Sequence, residues 1–165
     1  MIHTAKKVIK MHKKLSQKEF TDALHMVMKR STKEKDRMNA SLRLTLVSCK
    51  TGEQEEAVFR YETQTLHLNP YGGLHGGIVC ALIDTCMGTA VAARTDHKVI
   101  TTDLSVSYLR ALKGSAFRIQ IEFTHLGHHM SSVIGRIYNE DDNELSATGM
   151  GTFMLLNTGD AGVQV

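Results

Sequence analysis

Residues 76 to 93, "GGIVCALIDTCMGTAVAA", form the one long apolar helical run in the chain, and short strand-like segments lie on both sides of it. Such a helix must be covered around most of its circumference. A curved antiparallel sheet is the partner that the rest of the sequence offers. Upstream, "SLRLTLVSC" alternates Leu42, Leu44 and Leu46 with polar neighbours. It turns near Thr51-Gly52 and is followed by "AVFRYETQTLHL", which predicts a hairpin. Downstream, strand-like runs span 99–109, 116–125, 130–138 and 145–156, separated by Lys113-Gly114, Gly127-His128 and "NEDDNE". In "AFRIQIEFT" the apolar residues Phe117, Ile119, Ile121 and Phe123 share one face. Two strands, one helix and four strands do not make the alternation of a parallel sheet. The fold class is α+β.

With 165 residues, 42% of them hydrophobic, the chain has the size and composition of one soluble globular domain. No apolar run is read as reaching the roughly 18 residues of a membrane span, and the lysine-rich start lacks the apolar core of a signal peptide, so a cytoplasmic location is expected. Cys49, Cys80 and Cys86 are odd in number and lack paired spacing. They read as reduced, mostly buried thiols rather than a disulfide framework or a zinc site. His125, His128 and His129 have no carboxylate or cysteine nearby in the sequence to complete a metal site, and no metal or redox cofactor is expected.

Charge is unevenly divided. Residues 1–37 hold 11 Lys/Arg against 4 Asp/Glu, giving +7, and the remainder holds 9 against 13, giving −4. These 37 residues form a basic extension, with the domain over 38–165. Lys6, Lys7, Lys10, Lys13 and Lys14 come before any aromatic residue, the first being Phe20. The segment therefore reads as a solvated face, and no nucleic-acid partner is expected. Ser16 with Glu19 predicts a capping box, opening a helix with Phe20, Leu24, Val27 and Met28 on its apolar stripe.

The chemistry concentrates at the start of the apolar helix. Its Gly-rich lead-in presents backbone N–H groups at the positive end of the helix dipole, a site for an oxyanion or a polarised carbonyl oxygen. A tight turn without a ligand explains the glycines equally well. Asp84 is the only carboxylate of the helix and stands roughly 12 Å beyond Gly76, so one carbonyl cannot touch both within one chain. Antiparallel packing of two such helices about a two-fold axis brings Asp84 of one to Gly76 of the other. A hydrogen bond to Thr85 or Thr89 is the alternative use of a buried Asp84. Small residues along the helix (Gly76, Gly77, Ala81, Gly88, Ala90, Ala92, Ala93) permit close approach of a sheet or of a second helix. Cys80 and Cys86 read as packing.

Asn69, His75, Gly76, Gly77 and Asp84, spaced as N-x5-HGG-x7-D and followed by "TTDLSVSYLR" and "ATGMGTF", resemble the hotdog-fold acyl-CoA thioesterases of the phenylacetyl-CoA, or HGG-motif, type. The resemblance runs from about residue 41 to 156. It implies a hotdog fold, a sheet wrapped around the central helix, and a homodimer that doubles to a homotetramer. It also implies hydrolysis of an acyl-CoA, with coenzyme A present only as part of the substrate. Gly76 would donate its N–H to the thioester oxygen, with Asn69 and His75 shaping the pocket and Gly77 beside it. Asp84 of the facing subunit would be nucleophile or general base, and Thr101 would hold the attacking water, with Thr102 as its neighbour in register. Arg110, Gly127 and His128 would lie along the CoA. Ala111 replaces the proline usual after Arg110, and His128 replaces a usual Arg or Lys. A non-catalytic acyl-CoA sensor on the same fold is the rival reading. A hotdog dehydratase is disfavoured, since its different His-bearing motif is missing.

Overall fold

The computed structural model describes residues 14–156; Lys6, Lys7, Lys10 and Lys13 lie outside the described residues, and Lys14 is exposed. Helix α1, Gln17–Ser31, starts as the sequence predicts. The Ser16 hydroxyl accepts the Glu19 N–H at 3.3 Å, while the Glu19 carboxylate accepts the Ser16 N–H at 2.8 Å. Phe20 and Leu24 are fully buried, and Val27 and Met28 pack against the core. A four-residue helix α2, Met38–Ser41, then leads into the sheet.

Strands β1, Thr45–Lys50, and β2, Glu56–Glu62, form the predicted hairpin. The alternation read from Leu42, Leu44 and Leu46 holds through Leu46 and breaks just after it. Leu42 is buried from the end of α2, and pairing shifts between Leu46 and Ser48. That bulge leaves Val47 exposed and turns Cys49 into the core, one residue out of phase with Leu44 and Leu46. Helix α3, Gly76–Thr95, follows, then β3, Lys98–Tyr108, β4, Ala116–Leu126, β5, Met130–Asn139, and β6, Leu145–Leu156. All strand pairs are antiparallel, in the order β1-β2-β4-β5-β6-β3, which leaves β1 and β3 as edges. This is the hotdog arrangement that the resemblance implies, a sheet wrapped around one long helix.

The close approach of α3 to the sheet uses the sheet's own glycines as well as Gly88 of the helix, where a Cβ would meet Phe153 of β6 at 3.4 Å. A Cβ at Gly149 would stand 2.8 Å from Ile83 Cγ2, one at Gly151 2.8 Å from Met87 Sδ, and one at Gly135 3.0 Å from Met87 Cε. Ile83 and Met87, both fully buried, therefore sink into a glycine floor on β5 and β6. Gly88 and Ala92 also line a cavity that reaches Val27 and Ser31 of α1. In its most apolar 18-residue window α3 has a mean hydropathy of 1.6, enough by length and composition to cross a membrane, contrary to the sequence expectation. The sheet and α1 cover it from different sides, so half of that window is buried and an apolar composition follows. At its far end Arg94 is clamped by Glu55, Nε to Oε2 at 2.5 Å and Nη2 to Oε1 at 3.1 Å.

Candidate active site

The lead-in to α3 is built by Asn69. Its Oδ1 accepts the N–H groups of Tyr71 at 2.9 Å and Gly73 at 3.2 Å, and its amide donates to Leu74 O at 3.2 Å. Gly72 sits at φ +78°, a left-handed turn conformation that favours glycine. Asn69 thus folds the loop through every polar atom of its side chain.

His75 then caps the helix. Its Nδ1 accepts the Gly77 N–H at 3.0 Å, and its carbonyl accepts Ile78 at 2.9 Å and Val79 at 3.1 Å. Of the first four N–H groups of α3, these account for three. The fourth, on Gly76, has no partner among the described residues. The helix therefore begins with a single open donor at the positive end of its dipole. Gly76 faces a groove of about 640 Å3 shared with Asn69, Tyr71, Tyr108, Arg110 and Lys113.

Tyr108 had no signal in sequence reasoning, because the bond that places it crosses 32 residues. Its hydroxyl donates to Gly76 O at 2.8 Å and meets Cys80 Sγ at 3.1 Å. Cys80 is therefore half-buried in a polar contact, whereas Cys86 is the packing thiol that both were expected to be. The hydrogen bond to Cys80, with burial next, pushes the Tyr108 phenol up to about 12, so it stays a donor across the neutral range. Burial likewise pushes the Cys86 thiol up.

Asp84 lies two turns along, half-buried, and its Oδ1 accepts the Thr101 hydroxyl at 2.8 Å. Neither Thr85 nor Thr89 makes that bond. A bulge between Thr101 and Asp103 decides the register. Thr101 turns to the helix, while Thr102 donates to Thr152 O at 3.0 Å. The cavity at Asp84, about 240 Å3, is separate from the groove at Gly76. One chain thus holds a donor site and a carboxylate site on one helix, roughly 12 Å apart.

The sequence-predicted CoA residues divide. Arg110 lines the groove of Gly76 and pairs with Glu144 at 2.6 Å. Gly127 and His128 do not join it within one chain. Both lie in the β4–β5 turn, and His128 lines a hollow of about 490 Å3 with Arg94, at the far end of α3. Among the described residues no three His, Cys, Asp or Glu side chains are grouped to hold a metal ion.

Behind the lead-in, the backbone carbonyl of His67 accepts the His75 N–H at 2.9 Å, and its buried ring shares a 2.8 Å hydrogen bond between Nδ1 and the Tyr61 hydroxyl. That hydroxyl also accepts the Gln64 N–H at 3.3 Å. Burial, and then the charge of Arg43, hold His67 below its ordinary 6.5. A lowered folded value means that the neutral ring stabilises the fold above that pH, and that this contribution is lost as pH falls through the folded value. The urea midpoint is accordingly expected to drop as pH falls below about 6.5. His67→Gln is expected to flatten that dependence, as read by tryptophan-free methods such as circular dichroism.

The sequence profile of the thioesterase superfamily matches residues 71–146, from the lead-in of α3 into β6. A candidate esterase of Halobacterium salinarum is 40% identical over 67 residues, 38% of this chain; the chain spans 44% of that relative's length. The Escherichia coli PaaI protein from the phenylacetic acid degradation operon superposes with a TM-score of 0.70 at 16% identity, covering 86% of this chain and 96% of its own. A Streptococcus mutans protein solved with acetyl-CoA bound superposes with a TM-score of 0.63 at 23% identity, covering 70% and 90%.

Proposed function

We propose that this hotdog-fold chain, which carries the thioesterase-superfamily segment over residues 71–146, hydrolyses the thioester of an acyl-CoA to a free acid and CoA. The observation that carries the reading is the open Gly76 N–H, left by a cap that uses its neighbours, on the same helix as a half-buried Asp84 oriented by Thr101. A lone donor at a helix N-terminus suits a carbonyl oxygen that gains negative charge. A carboxylate with one oxygen held by Thr101 keeps the other for water or for the carbonyl carbon.

The reading needs two chains. In a homodimer with antiparallel α3 helices, Gly76 of one subunit polarises the carbonyl and Asp84 of the other supplies the attack. As general base, Asp84 takes a proton from water while the hydroxide adds to the carbonyl carbon. The oxyanion rests on the Gly76 N–H, and its collapse breaks the C–S bond, releasing CoA thiolate. As nucleophile, Asp84 adds to the carbonyl carbon and expels CoA thiolate as the C–S bond breaks, and water then cleaves the resulting mixed anhydride to the free acid and the Asp84 carboxylate. Edge strand β3 and the exposed Tyr108, Met150 and Met154 are suited to burial against a second copy. Arg110 and Lys113 supply positive charge beside Gly76 for the CoA phosphates. The acetyl-CoA held by the Streptococcus mutans protein adds weight to this ligand class.

The test is thiol release from a panel of acyl-CoAs by the purified protein. Turnover that scales with enzyme and saturates with substrate is the expected result. Tight acyl-CoA binding without thiol release would select the sensor reading instead.

A further inference from the structure

The cavity at Asp84 is walled on one side by residues upstream of the superfamily segment. Asp84, Gly88 and Ala92, spaced i, i+4 and i+8, line one side of it, and Val99, Thr101 and Phe153 line another. Gly88 keeps the passage open along the helix. A Cβ there would stand 3.4 Å from Phe153 and 3.8 Å from Val99, leaving little width. The remaining wall is Val27 and Ser31 of α1 with Asn39 of α2.

That wall carries hydrogen-bonding capacity that the fold does not use. The side-chain amide of Asn39 has no partner among the described residues, and neither do the hydroxyls of Thr85 and Thr89 across the cavity. Thr89, only 6% exposed, also lines the cavity. Ser31 already donates to Met28 O at 3.0 Å and keeps only acceptor capacity. At about 240 Å3 the space holds roughly eight waters at ~30 Å3 each. It is also smaller than the roughly 300 Å3 at which pockets for drug-sized molecules begin. On size the space suits a short acyl group better than a long fatty chain, and an entirely apolar group takes three polar groups from water without pairing them.

We infer that Val27 and Asn39 are specificity-determining residues, and that with Thr85 and Thr89 they select a short acyl group bearing a hydroxyl or carbonyl near its far end. The inference rests on the thioesterase reading above. Asn39 supplies both donor and acceptor to that group, and Val27 limits its length.

The experiment compares kcat/KM for pairs of short acyl-CoAs that differ only in a distal hydroxyl, with a long fatty acyl-CoA as the size control. Wild type is expected to favour the hydroxylated member and to process the long chain worst. Asn39→Leu is expected to cut that preference about tenfold, through KM more than kcat. Val27→Phe, a separate variant on the other side of the wall, is expected to shift the optimum to a shorter chain. Equal kcat/KM within pairs for wild type, or ratios that neither variant moves, overturns the inference. The same pairs are measured by calorimetry as non-hydrolysable thioether analogues. If no acyl-CoA is hydrolysed, the function reading fails, and the calorimetric ratios still decide whether this wall selects the acyl group.

Discussion

Asp84→Asn is expected to retain the fold and acyl-CoA binding while kcat falls by about a hundredfold to ten-thousandfold, the range that a positioned proton acceptor contributes. The geometry makes this a narrow test. Thr101 donates to Asp84 Oδ1 at 2.8 Å, and an asparagine oxygen in the same place accepts the same bond. The change therefore falls on the other oxygen, replaced by an amide that neither takes a proton from water nor attacks a carbonyl. No salt bridge is lost, because no cation pairs with Asp84 among the described residues. A loss in kcat at unchanged affinity, measured as thiol release beside calorimetry, separates chemistry from binding. Turnover near wild type would remove Asp84 from the mechanism.

The parts of this fold that were legible in the sequence are those with strong local periodicity. Phe117, Ile119 and Ile121 alternate in the sequence and are all buried in β4, and the Ser16–Glu19 capping box forms as written. What escaped depends on single-residue insertions that period-two reasoning does not see. The bulge after Leu46 brings Cys49 into the core, and the bulge after Thr101 decides which of two adjacent threonines meets Asp84. The resemblance placed Thr101 near the attack; only the bulge explains why Thr102 is turned away.

The site shows the same division. The Gly-rich lead-in could be read as an open donor, but His75, Ile78 and Val79 determine that Gly76 alone stays open. Tyr108 and Asn39 had no sequence signal, since each is defined by a neighbour distant along the chain. Glycines 135, 149 and 151 look like strand weaknesses in the sequence. They become intelligible once Ile83 and Met87 are seen pressing onto them.

Mixed dimers of Asp84→Ala and Gly76→Pro chains are expected to recover about a quarter of wild-type activity, although each homodimer is nearly inactive. Gly76→Pro removes the open donor, and losing a donor of this kind costs about a hundredfold to a thousandfold in kcat. Proline fits the position. Gly76 is the first helical residue, and His75 before it has the extended conformation, φ −64° and ψ 135°, that a residue preceding proline adopts. A Cβ at 76 would stand 3.4 Å from the Tyr108 hydroxyl, an ordinary contact. If each site takes its donor from one subunit and its carboxylate from the other, a mixed dimer collects both defects in one site and leaves the second intact. Random pairing makes half the dimers mixed, and half their sites are sound, which gives the quarter. Differently tagged chains, co-expressed and purified through both tags, enrich the mixed species and should raise recovery to about half. Verified mixed dimers as inactive as either parent would mean that Gly76 and Asp84 do not meet across an interface. The roughly 12 Å between them on one helix would then exclude a shared site altogether.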